Sequence, residues 1–127
     1  MPDVNRGNRP LSPHLQIYRP QWTSISSILV RITGIATLGA AVLIVGWLFA
    51  AATSPGVFAG IDGVLRSVPG QISLLGATWA IFYHMLGRLR HVIWDFGYAV
   101  TVEAGERMAM GMVGLATLLT LIVFMVF

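Results

Sequence analysis

The sequence predicts an all-α membrane protein with three transmembrane helices, and three observations carry that expectation. Hydrophobic residues make up 56% of the 127 residues and charged residues only 10%, a balance too apolar for an ordinary soluble domain. Three windows, Ile32–Ala52, Ser67–Gly87 and Met108–Phe127, carry no charge. Each meets the requirement of about 20 apolar residues for a hydrocarbon core of roughly 30 Å. The arginines fall between or beside these windows instead of along one soluble face. A soluble protein with three such helices would have almost no polar residues left to cover them.

The first helix is expected over about 23–52. Thr23 or Ser24 is placed to cap it, and Thr53-Ser54-Pro55-Gly56 breaks it. The second is expected over about 69–94, with Pro69 tolerated in a first turn. The third is expected over about 106–127. Small residues at Gly34, Ala36, Gly39, Ala40 and Gly46, and at Gly105, Gly111 and Gly114, permit close helix contacts. Trp22 and Trp94 fall where an interfacial aromatic belt is expected. The chain reads as a single membrane domain, 1–127, whose first 22 residues form a retained cytoplasmic segment and not a signal peptide.

Arg6, Arg9 and Arg19 precede the first span, Arg66 stands beside Asp62 in the first loop, and Arg88, Arg90 and Arg107 lie in or beside the second loop. The positive-inside rule therefore puts the N-terminus in the cytoplasm and the C-terminus outside. The net charge of +3 comes from eight arginines with no lysine. Topology accounts for these charges better than nucleic-acid binding does. The absence of cysteine excludes disulfides, iron–sulfur ligation by this chain and thiol nucleophiles. No nucleophile–base pair, paired carboxylates, phosphate loop or complete metal-ligand set is present.

Polar groups inside a lipid-spanning helix are costly, so the few that occur are informative. Ser27 and Arg31 share a face that Gly34 continues without a side chain. They form either a small polar pocket or a serine beside an arginine that snorkels to the surface. At about 100° per residue, His84, Arg88 and His91 lie within roughly 60° of arc, and Arg90 points elsewhere. An imidazole with cationic neighbours suits a haem, with neutral His84 on the iron and Arg88 or His91 near the propionates. A structural hydrogen bond from His84 is the competing reading. The expected topology brings both clusters to the cytoplasmic half of the membrane, where an amphipathic molecule such as a quinone would bind. One histidine does not complete a six-coordinate haem, so a second ligand must come from another chain.

Three blocks then match a known family. Arg9-Pro10-Leu11-Ser12-Pro13-His14-Leu15-Gln16-Ile17-Tyr18, Ser27-Ile28-Leu29-Val30-Arg31-Ile32-Thr33-Gly34, and His84 through Arg90-His91 to Trp94-Asp95-Phe96-Gly97 resemble the cytochrome b membrane-anchor subunits of succinate dehydrogenase, respiratory complex II. The resemblance implies a subunit of a four-subunit succinate:quinone oxidoreductase in a bacterial inner membrane, not catalytic by itself. The flavoprotein with FAD and the iron–sulfur subunit would be partners. A second anchor subunit would complete a heterodimeric helix bundle and share haem b, with ubiquinone as substrate.

Carried over by position, the resemblance implies quinone binding by Ser27, Arg31 and Asp95 and axial haem ligation by His84. Arg31, Arg88 and His91 complete the cofactor-binding set. The N-terminal block would pack under the iron–sulfur subunit, and a trimer of heterotetramers is left open. Two departures stand out: Val30 replaces a usual histidine, and Gly87-Arg88 replaces a usual Asn-Gly. Arg88 is expected to take over charge neutralisation lost at Val30. A fumarate reductase anchor and a haem-free scaffold are the alternatives.

Overall fold

The computed structural model describes residues 17–126. The specific block from Arg9 to Gln16, with Arg6, lies outside the described residues, as does Phe127. Among the described residues the chain is all-helical: α1 (Trp22–Thr53), α2 (Pro55–Arg66), α3 (Val68–Asp95) and α4 (Val102–Val126).

Helix α1 starts at a reciprocal contact. Gln21 N–H donates to Ser24 Oγ at 3.2 Å, and Ser24 Oγ–H donates to Gln21 O at 2.9 Å. Ser24 therefore acts from the third helical position, and Gln21 is the capping residue. At 32 residues the helix measures about 48 Å, longer than the hydrocarbon it would cross. Ser54 both ends α1 and begins α2, with Pro55 in the first turn of α2.

The segment expected as an open loop is thus mostly helical. The 12-residue α2 turns Phe58, Ile61, Asp62 and Leu65 partly inward and leaves Val57 and Val64 exposed. Trp47 meets Phe58 with ring centroids 5.5 Å apart. Arg66 Nε donates to Asp62 Oδ2 at 2.6 Å one turn away.

Helix α3 occupies the centre and packs on α1, α2 and α4. The Ser67 hydroxyl oxygen accepts from Gly70 N–H at 3.3 Å to cap its start. Helix α4 begins four residues earlier than expected because the Thr101 hydroxyl accepts from Ala104 N–H at 3.3 Å, and Glu103 pairs with Arg107 at 2.6 Å one turn on. The α3–α4 connection uses two left-handed residues, Gly97 (φ 78°) and Ala99 (φ 54°). Trp94 Nε1–H holds the turn by donating to Ala99 O at 3.1 Å.

The core is small. Val30, Tyr83, Met112 and Ala116 form its buried cluster, with Trp79, Phe82 and Leu86 against it. Large apolar residues such as Ile35, Leu38, Phe49, Leu89 and Phe124 remain exposed, as expected when lipid or a neighbouring helix is the outer solvent. Two helices, α1 and α4, are long and apolar enough to cross a membrane by length and composition alone. Gln71, Ser73, Thr78, Tyr83, His84 and the arginines dilute α3.

Candidate functional site

The first turns of α1 and the last turns of α3 run antiparallel and enclose a groove of about 640 Å³. Ser27, Val30, Arg31, Gly34, Ile35 and Leu38 line it from α1, and His84, Arg88 and His91 from α3. Five of the six expected site residues therefore come together across more than fifty positions of sequence. Asp95, the sixth, is exposed at the last position of α3 and does not line this groove.

His84 is fixed from both sides. Its Nδ1 lies 2.9 Å from the carbonyl oxygen of Val30, and a carbonyl only accepts, so Nδ1 carries the proton. Its Nε2 lies 3.2 Å from Arg88 Nε, and a guanidinium only donates, so Nε2 presents a lone pair. The two contacts agree on one neutral tautomer. A backbone carbonyl on one imidazole nitrogen is the usual device for aiming the other at a ligand.

Glycines make this approach feasible. A Cβ built on Gly34 would lie 2.8 Å from His84 Cε1 and 3.1 Å from Nδ1, so α1 passes His84 only because position 34 lacks a side chain. A Cβ on Gly87 would lie 2.5 Å from a Val30 methyl. Val30 is 5% exposed, so its isopropyl group fills the space that a larger residue at 87 would require. Val30 and Gly87 thus pack as one unit across α1 and α3. Gly39, Gly46, Gly111 and Gly114 have no neighbour within 4 Å at the equivalent position.

A second polar cluster lies inside the bundle. Arg90 is 1% exposed and Tyr83 is fully buried. Arg90 Nη1 donates to Ser26 Oγ at 2.8 Å, and Tyr83 O–H donates to the same oxygen at 3.2 Å. The Arg90 guanidinium also lies 4.6 Å from the centre of the Trp94 ring, a cation–π contact strengthened by exclusion of water. Its Nε and Nη2 have no hydrogen-bond partner among the described residues.

Helical spacing alone puts Arg90 off the His84 face, but nothing local in the sequence marks Ser26 and Tyr83 as its companions. Each is one residue before a groove residue, and a step of about 100° turns it from groove to core. The pairing spans 57 and 64 positions, which no local pattern reveals. Elsewhere, Trp79 Nε1–H donates to Thr117 Oγ1 at 3.1 Å, tying α3 to α4.

The chain is similar to known proteins along most of its length. Residues 5–124 match the family described as succinate dehydrogenase/fumarate reductase transmembrane subunit. The chain is 51% identical over 130 residues to the succinate dehydrogenase cytochrome b556 subunit of Paracoccus denitrificans, covering 100% of both chains. It is 39% identical to the cytochrome b560 subunit of Reclinomonas americana, covering 94% of this chain and 87% of that one. It is also 37% identical to the mitochondrial cytochrome b560 subunit of Sus scrofa, covering 75% of this chain and 57% of that one.

Proposed function

The chain belongs to the succinate dehydrogenase/fumarate reductase transmembrane subunit family, and from that premise we propose how its groove serves a membrane-anchor cytochrome b of complex II. It is a subunit of an oxidoreductase complex whose succinate chemistry resides in partner chains. The observation that carries the reading is the meeting of Ser27, Arg31, His84, Arg88 and His91 in one groove.

The residues present fit a haem b. Gly34 leaves room for the His84 ring, and Nε2, which accepts from Arg88, is the nitrogen that carries the lone pair. Arg31, Arg88 and His91 line the groove without a carboxylate among the lining residues, which suits a ligand bearing two carboxylates. His84 would hold the iron, and a second anchor subunit would supply a further ligand. When bound, the haem supplies a one-electron centre.

Ubiquinone takes its electrons from the iron–sulfur partner. Ser27 donates its hydroxyl proton to one quinone carbonyl oxygen, and Arg31 places positive charge beside the oxygen that becomes negative. His91, or Asp95 one turn further on, passes protons from the aqueous boundary. The whole chain, 1–127, acts as one domain of the inner membrane, with α1, α3 and α4 crossing and the N-terminus cytoplasmic. Support for α3 as the third span comes from its central position between α1 and α4 and its 28 residues. At about 42 Å, that length is ample for a bilayer.

The reading is tested on the complex purified in mild detergent. A flavoprotein and an iron–sulfur protein should accompany this chain. His84→Ala should abolish the b-type bands in a reduced-minus-oxidised spectrum while succinate oxidation by an artificial acceptor persists. A normal haem spectrum in that variant would exclude His84 as the ligand.

A further inference from the structure

Arg90 is an expensive residue where it stands. It is 1% exposed, and its Nε and Nη2 have no hydrogen-bond partner among the described residues. An apolar side chain of similar volume would fill the same space without a buried charge to desolvate. Packing alone therefore does not account for a guanidinium here.

The contacts it does make each end beside a groove residue. Across the bundle, Nη1 donates to Ser26 Oγ at 2.8 Å, and Ser26 is followed by Ser27, which lines the groove from α1. Along α3, the guanidinium lies 4.6 Å from the centre of the Trp94 ring. That ring meets His91 edge-on, with centroids 5.4 Å apart and planes at 85°. The indole N–H is committed to Ala99 O at 3.1 Å, so Trp94 is held at its face by Arg90 and at its polar end by the α3–α4 turn. Arg90 itself lines no part of the groove. One buried group thus supports both walls from behind.

We propose that Arg90 is a positioning residue for quinone reduction: through Ser26 it fixes where α1 presents the Ser27 hydroxyl, and through Trp94 it fixes the His91 imidazole. This rests on the groove being the quinone site. Hydrogen bonds weaken steeply away from their preferred geometry, and an error of about 1 Å in placing a reacting group costs up to roughly a hundredfold in rate. The two contacts carry different consequences. Ser27 grips a quinone oxygen, so its displacement weakens binding and raises KM. His91 passes protons, so its displacement slows turnover and lowers kcat.

The test measures reduction of a short-chain ubiquinone by the complex purified in mild detergent, with succinate oxidation by an artificial acceptor giving the amount of assembled enzyme. Arg90→Met removes both supports, buries no charge and leaves the Tyr83–Ser26 hydrogen bond in place, so it should assemble. Its KM for ubiquinone should rise roughly fivefold or more, the scale of one hydrogen bond, and its kcat should fall by a similar factor. Ser26→Ala should reproduce the rise in KM, and Trp94→Leu the fall in kcat. Arg90→Lys, which keeps a cation and a donor, should restore part of both.

A purely structural Arg90 predicts lower yield and a lower unfolding temperature with wild-type KM and kcat in whatever complex assembles. That result in Arg90→Met overturns the proposal. Should Arg90→Met fail to assemble, wild-type constants in both Ser26→Ala and Trp94→Leu overturn it equally. Wild-type constants in Ser27→Ala and His91→Ala would instead overturn the groove as the quinone site, so the two failures are distinguishable.

Discussion

At position 34 the lack of a side chain sets how closely α1 passes the His84 ring. Gly34→Ala would put a methyl group 2.8 Å from His84 Cε1, so the imidazole must turn or α1 must withdraw. We expect reduced haem content and an altered b-type spectrum in the purified complex, with the flavoprotein reaction unaffected. Gly87→Asn should fail to assemble because Val30 occupies the space, and Val30→Ala in the same chain should restore assembly. A double-mutant cycle scored by yield and thermal stability measures that coupling. Ser26→Ala removes the acceptor of a buried guanidinium and should cost about 1–3 kcal/mol, read as a lowered unfolding temperature. Ser27, Arg31, His84, Arg88 and His91 were legible in the sequence because a charge, imidazole or hydroxyl in or beside an apolar window stands out. The exclusion of a side chain at 87 by Val30 was not, since it depends on contact between helices.

Among the helices, α2 is the one whose sequence conceals it. Pro55 and Gly56 mark a break, and Gly60 and Gly63 lower helix propensity, so the segment reads as a loop. The signal that would have found it is the spacing of Phe58, Asp62 and Leu65, each about one turn apart, with Asp62 and Arg66 paired along the same helix. The long apolar stretches made α1, α3 and α4 legible, with ends displaced where side-chain caps at Ser24 and Thr101 decide the first turn. Phe58→Ala should release α2 from Trp47, and amide exchange over residues 55–66 should quicken without loss of the other helices. Arg66→Ala should do much less, because exposed pairs one helical turn apart contribute about 0.3–0.5 kcal/mol.

On the scale of the whole molecule, the polar residues of the groove gather towards one end of the bundle, and α2 lies towards the other. The antiparallel order of α1 and α3 made that placement foreseeable, because the start of one must adjoin the end of the other. The side of the membrane on which the groove opens is open to a direct test, since the chain has no native cysteine. Ala59→Cys in α2 and Glu103→Cys at the start of α4 are both exposed positions. An impermeant thiol reagent added to intact spheroplasts should label the first and spare the second until the membrane is opened. The reverse pattern would invert the proposed topology.

The hydrogen bond from His84 to the Val30 carbonyl joins a side chain of α3 to the backbone of α1. The imidazole plane therefore takes its bearing from a neighbouring helix as well as from Arg88 on its own. Any sliding of α1 along α3 becomes a twist of that ring about its bond to the chain. With iron attached, such a twist would appear in the anisotropy of the ferric electron paramagnetic resonance signal. Strain between two helices would then be readable as a change in magnetism.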